Sequence, residues 1–410
     1  MNKNTLTKVA LAVLATAAGA GAAHAQSAPA PSHSTTWTGT VGEDRYGDAR
    51  FKLRGRFQYD IASSEWDVAA GDDGFSTYVR RAFIGAQGRL TENWRYKVDV
   101  VLDPGNSGAT SEVGVDDAYL EYATDDWSIL IGEHNITSPL EDRISSLDIP
   151  LIERSAMINA FGYGRLAGLG FLTGGHNWSV AAALQGDSLN DNSAQGTSEQ
   201  TALSGRITFA PIFSTTPEGV SLVHLGLHAR SRSREEDSSL AYSVRPQNGR
   251  STSWINPGIL AEEDISYGAE AALQFGPFGA QAEYTILEAD DGVESYDLQA
   301  YYVDVYWSLT GESRNYRANT GSFGAIAPRR PFGEEGGLGH WMVSARYDYA
   351  DLSEGPGANR GEQTAYALGL DWVPIDHFRF KLNFADTEMD RTAGPDAEAQ
   401  IITLRTQFDF

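Results

Sequence analysis

The sequence contains no cysteine among its 410 residues, which excludes disulfides, zinc–thiolate sites and a cysteine nucleophile. Beyond residue 25 it also lacks any run of about 18 apolar residues, so no membrane-spanning helix is predicted. The HExxH, GxSxG and P-loop patterns are absent as well. We therefore expect no enzymatic activity, and neither a cofactor nor a bound metal ion.

Positive charge is scarce. The sequence holds 31 Lys and Arg residues against 55 Asp and Glu, and only five of the basic residues are lysines. Without Lys3 and Lys8, which belong to the N-terminal leader described next, 29 basic residues remain and the charge is −26. Such an excess of negative charge argues against nucleic acid as a partner.

The first 25 residues have the pattern of a secretory signal peptide. Lys3 and Lys8 precede an apolar run over residues 9–23, and Ala23-His24-Ala25 fits the small-x-small cleavage rule. We expect cleavage near Ala25 and export of the mature chain. Residues 26–49 then form a lead-in segment that begins rich in Ser, Ala and Pro, and residues 50–410 form the folded domain.

Alternation of apolar and polar residues dominates that domain and predicts β-strands. Phe51, Leu53 and Phe57 share one face of the first strand, whereas Lys52 and Arg54 share the other. The predicted strands lie near 50–62, 77–90, 92–103, 115–123, 126–134, 163–173, 176–185, 200–210, 220–232, 265–275, 278–288, 296–308, 340–352, 363–374, 377–388 and 398–410. An even number of about sixteen places both termini on the same side of a closed barrel.

Two features favour lipid over a dry core around these strands. Trp and Tyr often stand at the ends of the apolar faces, and short connections alternate with long ones, as in bacterial outer-membrane barrels. The sequence thus predicts an all-β protein, a transmembrane antiparallel barrel of about 16 strands, in the outer membrane of a Gram-negative bacterium. Sixteen strands leave room for a water-filled lumen. A secreted soluble β-protein, such as a binding module, remains the alternative class.

The final strand alternates up to Phe408 and Phe410, and this ending looks like the signal read by the barrel assembly machinery. We therefore expect that machinery, outer-membrane lipid and lipopolysaccharide as partners.

Scattered motifs resemble the phosphate-selective porin O and P family from about residue 50 to the C-terminus. They include Trp307-Ser308-Leu309-Thr310-Gly311-Glu312, Arg314, Tyr316, Gly321, Phe323, His340-Trp341, Ala345-Arg346-Tyr347, Gly369-Leu370-Asp371-Trp372, Arg80-Arg81-Ala82 and Glu153-Arg154. The resemblance implies a trimeric, sixteen-stranded porin in which residues 135–162, 233–264 and 309–339 fold into the lumen. It also implies passive diffusion of small anions such as phosphate or polyphosphate. A weakly selective or cation-preferring porin is the alternative, because lysine is scarce and the lumen faces carry acids.

Basic side chains on lumen-facing positions are the candidates for an anion pathway, since arginine binds oxyanions through two parallel hydrogen bonds. Arg230, Arg232 and Arg234 share one alternation, about 6–7 Å apart along a strand, and resemble the family's arginine ladder. The other candidates are Lys52, Arg54, Arg56, Arg95, Lys97, Arg143, Arg154, Arg379 and Lys381. Two structural alternatives stand beside this hypothesis: a solvated stretch balanced by residues 235–237, and local pairing of Arg143 and Arg154 with acidic neighbours.

Overall fold

The computed structural model describes residues 38–40, 50–68, 71–103, 112–190, 200–234 and 239–410. Sixteen long antiparallel strands follow one another in chain order, and the last pairs with the first to close a barrel. The strands are β1 Arg50–Trp66, β2 Gly74–Arg89, β3 Trp94–Asp103, β4 Glu112–Ala123, β5 Trp127–His134, β6 Leu166–Gly174, β7 Trp178–Gln185, β8 Gln200–Thr216, β9 Gly219–Arg234, β10 Glu263–Phe275, β11 Phe278–Asp290, β12 Ser295–Ser308, β13 His340–Leu352, β14 Gly361–Val373, β15 Phe378–Arg391 and β16 Ala397–Asp409.

The barrel confirms the predicted fold class and each of the sixteen predicted strands. A short strand, Thr38–Thr40, adds to the sheet by pairing with β1. The predicted signal peptide, residues 1–25, and most of the lead-in segment lie outside the described residues. Within the described ranges, no helix is long and apolar enough to cross a membrane.

The strands are apolar outside and polar inside, which is the reverse of a soluble protein. On β9, Leu225 and Leu227 are 49% and 60% exposed, whereas His224 and His228 on the other alternation are 0% and 5% exposed. Leucines that face outward in this way are favourable only when the solvent around the barrel is apolar. The arrangement therefore fits a lipid bilayer outside the barrel and a polar interior.

The two ends of the barrel differ. At one end, which we call the turn end, the connections are two to four residues long, apart from residues 309–339. Aromatic pairs mark the strand ends there, such as Phe278 on Trp307 at 5.2 Å and Trp341 on Trp372 at 5.3 Å between ring centroids. Such a girdle is typical of a membrane–water interface. The N-terminus of β1 and the C-terminus of β16 both lie at this end. We call the opposite end the loop end.

Three segments fold into the lumen, as the family resemblance implies. Residues 135–165, called loop L3 below, contain helices α1 Leu140–Arg143 and α2 Ala156–Ala160, and α2 packs on β12 and β13. Residues 235–262, described from 239 onward, place Trp254 against Trp66 at 5.5 Å. From the turn end, residues 309–339 insert a short hairpin, Tyr316–Arg317 and Ser322–Phe323, between the walls.

A charged side chain on the outer face tests this orientation. We expect Leu227→Arg to lower the free energy of unfolding by about 2–4 kcal/mol, because the side chain enters the hydrocarbon near its middle. Thr201→Arg, also outward but at the loop end of β8, should cost only about 0–1 kcal/mol. Denaturant unfolding in lipid vesicles measures both. Equal costs at the two positions would contradict a lipid-facing wall.

Candidate ion pathway

Cations on the barrel wall bind the backbone of loop L3. Lys381 Nζ donates to the carbonyl oxygen of Ile149 at 2.5 Å, and Arg405 Nη1 donates to that of Ile152 at 2.7 Å. Arg379 donates to the carbonyl oxygen of Leu147. Since a buried carbonyl without a donor is costly, these contacts fix the path of the loop across the lumen.

Carboxylates of the same loop form buried ion pairs with wall arginines. Glu141 lies 2.5 Å from Arg346, which also contacts Asp304 at 2.6 Å. Glu153 lies 2.8 Å from Arg80 and 3.0 Å from Arg405. These pairs attach L3 to β2, β13 and β16. Breaking a buried pair of this kind is strongly destabilising, because it leaves one charge uncompensated.

Beside L3, against β1 to β6, lies a cavity of about 430 Å³, called the lumen cavity below. Its lining is mostly polar, and the ionisable side chains in it are unequal in sign. The basic ones are Arg54, Arg56, Arg81, Lys97, Arg143, Arg154, Arg165 and Arg317, and the acidic ones are Asp116, Asp117, Glu121 and Asp142.

Half of these basic residues are neutralised by ion pairs. Arg165 contacts Asp116 at 3.0 Å, and Arg154 contacts Asp142 at 3.5 Å. Lys97 pairs with Asp117, and Arg54 pairs at 3.3 Å with a wall carboxylate, Asp99, beside the cavity. Within the part of the chain that the structure describes, the remaining four make no ion pair; they are Arg56, Arg81, Arg143 and Arg317.

Two of the unpaired arginines keep an N–H without a partner. Arg56 donates to the hydroxyls of Ser146 at 2.8 Å and Ser145 at 3.1 Å, but its Nε atom has no hydrogen-bond partner. Arg143 donates to Asn135 at 3.2 Å, and its Nε is also unpaired. Burial lowers the pKa of Arg143 to about 10, so the group stays charged at neutral pH. The lining of the cavity thus carries positive charge that no ion pair compensates.

A second cavity adjoins the first at the turn end and measures about 950 Å³; it is called the mouth cavity below. Both cavities are bordered by Gln87, Lys97, Tyr119 and Glu121. The mouth cavity is also basic, since Arg50, Lys52, Arg89, Arg95 and Lys97 line it together with one acid, Glu121. Basic side chains thus outnumber acidic ones in the linings of both cavities.

The structure brings seven of the twelve predicted pathway residues to these cavities. Five line the lumen cavity, namely Arg54, Arg56, Lys97, Arg143 and Arg154. Lys52 and Arg95 line the mouth cavity. Arg379 and Lys381 lie in neither lining, because they hold L3. Arg154 pairs with Asp142 rather than with its neighbour Glu153.

The predicted ladder on β9 also lies outside both linings. Arg232 Nε donates to Asp264 Oδ1 at 3.0 Å, and Arg234 contacts Asp187 at 3.0 Å. Arg230 donates to the carbonyl oxygen of Phe161 at 2.6 Å and lies over the ring of Tyr163. The three side chains thus face inward, as the alternation predicts, but each has a protein partner.

Three arginines that line the lumen cavity are not among the twelve predicted pathway residues: Arg81, Arg165 and Arg317. For Arg81 the reason is a β-bulge, because Gln58 pairs with Arg81 but Tyr59 pairs with Val79, which leaves Arg80 as an extra residue. A bulge lets two consecutive side chains reach the same side. Strict alternation therefore assigns only one of Arg80 and Arg81 to the lumen. Arg165 and Arg317 belong to inward segments, where alternation gives no direction.

Comparison with known proteins agrees with this architecture. A family model described as phosphate-selective porin O and P matches residues 51–410. The chain is 29% identical over 395 residues to an uncharacterized protein of Caulobacter vibrioides, which covers 92% of this chain and 77% of that protein. It is 26% identical over 388 residues to Porin O of Pseudomonas aeruginosa, with 83% of each chain covered.

Solved structures show the same fold at low sequence identity. An anion-selective porin from Comamonas acidovorans has a TM-score of 0.56 at 10% identity, covering 88% of this chain and 100% of that one. The outer-membrane channel DcaP of Acinetobacter baumannii has a TM-score of 0.53 at 12% identity, with 88% and 97% covered. At such identities the likeness concerns the barrel itself.

Replacing one L3 anchor tests the role assigned to the wall cations. We expect Lys381→Met to lower the free energy of unfolding by about 1–3 kcal/mol, because the carbonyl of Ile149 loses its donor and the buried carboxylate of Asp371 loses one of its cations. The matched change Lys52→Met, in the mouth cavity, should stay within about 0.5 kcal/mol of the wild type. Denaturant unfolding measures both, and single-channel recording should show added current noise only for Lys381→Met. Equal stability of the two variants would contradict the anchoring role.

Proposed function

The chain belongs to the phosphate-selective porin O and P family, and from this membership we propose that it is a channel for passive diffusion of small anions, with phosphate-like oxyanions as the preferred class. The family and the fold are those of outer-membrane porins, and the members of this family are channels rather than enzymes. The turn end is then periplasmic and the loop end extracellular. The proposed path runs through the lumen cavity and the mouth cavity.

The single observation that carries the anion preference is the excess of unpaired arginine in the lumen cavity. Arg56, Arg81 and Arg143 face a narrow space without a carboxylate partner. A permeating oxyanion loses part of its hydration there, and the planar guanidinium replaces the lost water with two parallel hydrogen bonds. Fixed positive charges of this kind are the recurring device of anion pores.

Several of the acidic lumen residues, which favoured a cation-preferring porin, are neutralised by ion pairs. Asp60 pairs with Arg405 at 2.7 Å, and Glu270 pairs with Arg206 at 2.5 Å. Lys381 lies 3.3 Å from Asp371. Their negative charge is thus compensated within the wall. A cation-preferring porin of the same fold stays the alternative, and the bilayer measurement below separates the two.

The remaining expectations about processing and assembly are part of the proposal. We propose cleavage near Ala25, a homotrimer as in the family, contact with lipopolysaccharide, and recognition of the C-terminal strand by the barrel assembly machinery. Phe410 supports the last point, because its backbone exchanges two hydrogen bonds with Gly55, at 3.1 and 3.2 Å. The terminal residue thus takes part in closing the barrel.

Removing the unpaired charge tests the anion preference. We expect Arg56→Gln with Arg143→Gln to lower the anion-to-cation permeability ratio by roughly 30-fold per charge, since one charge at 4 Å stabilises an anion and destabilises a cation by about 1 kcal/mol each even in water. The reversal potential of the purified protein in a planar bilayer under a KCl gradient gives the ratio. Arg329→Gln, an exposed arginine outside both cavities, is the control and should leave it unchanged. A cation-selective wild type would overturn the proposal.

The β9 arginines form a second, separate test. We propose that Arg230, Arg232 and Arg234 add to the positive potential of the lumen. Arg230→Gln with Arg232→Gln should lower the same permeability ratio, but less than the pair at Arg56 and Arg143, because Asp264 already compensates Arg232. A larger fall in the permeability ratio for the β9 pair than for Arg56 and Arg143 would indicate that the main anion path lies on the β9 side of the lumen.

A further inference from the structure

A buried pair of carboxylates lies behind L3. Neither carboxylate lines the lumen cavity or the mouth cavity. Glu270 on β10 stands directly opposite Glu283 on β11, and the two are 3% and 2% exposed. The backbone N–H of Leu140 donates to Oε2 of both, at 3.0 and 2.8 Å. One donor shared between two acceptors brings two carboxylate oxygens close together, which like charges resist.

The positive charge at this pair compensates only one of the two carboxylates. Arg206 forms an ion pair with Glu270, and the imidazole of His224 also contacts Glu270, with Nε2 2.9 Å from Oε1. Glu283 makes no ion pair within the described ranges; its acceptor sites are filled by the N–H groups of Leu140 and Glu141 and by the hydroxyl of Tyr302. The charged form of a buried carboxylate is unfavourable when no cation lies beside it, and a bound cation would remove this cost. The pair therefore has room in its charge balance for a further cation.

A histidine nitrogen without a partner points at the same place. His228 on β9 is 5% exposed, and its Nδ1 atom has no hydrogen-bond partner and lies 3.9 Å from Glu270 Oε2. Its Nε2 lies 3.0 Å from the hydroxyl of Thr285. That hydroxyl donates its own proton to the sulfur of Met157, so it accepts from Nε2–H. This assigns the lone pair to Nδ1, the form in which histidine binds metals.

Two glycines, which have no side chain, make room for the side chains of Glu270 and His228. A Cβ atom at Gly226 would lie 2.4 Å from Glu270 Oε1, and one at Gly268 would lie 2.6 Å from His228 Nε2. Both glycines are on lumen-facing positions of β9 and β10, where other residues carry side chains. The wall is therefore built around the carboxylate and the imidazole.

We propose that His228, Glu270 and Glu283 bind one divalent metal ion of the Zn²⁺ type. The three residues each offer a ligand atom, and these atoms all lie within 4.8 Å of one another. One imidazole nitrogen and two carboxylate oxygens are a ligand set that Zn²⁺ accepts, with a fourth position for water. The ion compensates the second carboxylate and ties helix α1 of L3 to β9, β10 and β11. This site is separate from the anion path and does not depend on the proposed selectivity.

Zinc retention tests the site directly. The protein is purified from outer membranes in detergent, loaded with Zn²⁺ and passed over a chelating resin, and bound zinc is measured by elemental analysis. We expect about one Zn²⁺ per chain to remain in the wild type, as for a buried site with three protein ligands. His228→Gln and Glu283→Gln should both lose it, and heat-modifiable migration confirms that each variant is folded.

The matched control is His340→Gln. His340 is likewise buried on a strand, with Nε2 3.0 Å from the hydroxyl of Ser308 and Nδ1 without a partner, but it belongs to no group of three ligands within the described residues. It should retain the zinc. Weak binding to the acidic loops is the same in all variants and cancels in the comparison. No zinc in the wild type, or equal zinc in wild type and the folded His228 and Glu283 variants, would overturn the site.

Discussion

The attachment of L3 to the inner wall is the constraint on which the rest of this molecule depends. A sixteen-stranded barrel is wide enough to hold an open water column. Here wall cations bind successive carbonyl oxygens of L3, and wall arginines pair with Glu141 and Glu153. Because these contacts are buried, moving the loop away would leave uncompensated charges and unpaired carbonyl oxygens, and this cost holds the loop in place. The narrow lumen cavity exists because the loop cannot move away from it.

Arginine serves two different purposes in the same lumen. The charges of Arg346 and Arg405 are compensated by carboxylates, and these two side chains attach the loop to the wall. Arg56 and Arg143 have only neutral partners and keep their charge beside the cavity, and the Nε atom of each has no hydrogen-bond partner. What separates the two groups is the presence of a carboxylate within about 4 Å, which cancels the field that an ion in the lumen would experience. Residue type alone does not distinguish them.

The acidity of the whole chain is likewise a poor guide to its pathway. The formal charge is −24, yet the described lining of the lumen cavity carries twice as many basic as acidic side chains. Many of the acids lie elsewhere, as ion-pair partners inside the wall or exposed at the loop end, for example Glu262, Glu263 and Asp290. Charge is thus segregated by position. Water and counterions screen the exposed acids, whereas the narrow lumen keeps the field of its arginines.

Alternation by itself determined the barrel: the sixteen strands, the lipid-facing and lumen-facing rows, and the inward direction of Lys52, Arg54 and Arg56. It could do so because a strand has a strict period of two and one face must meet lipid. Resemblance to the family added the three inward segments. Only the tertiary structure decided which inward cations are free. Pairing joins residues far apart in sequence, such as Glu141 with Arg346, the bulge at Arg80 shifts the alternation, and loops such as the one carrying Arg165 have no period from which a direction can be predicted.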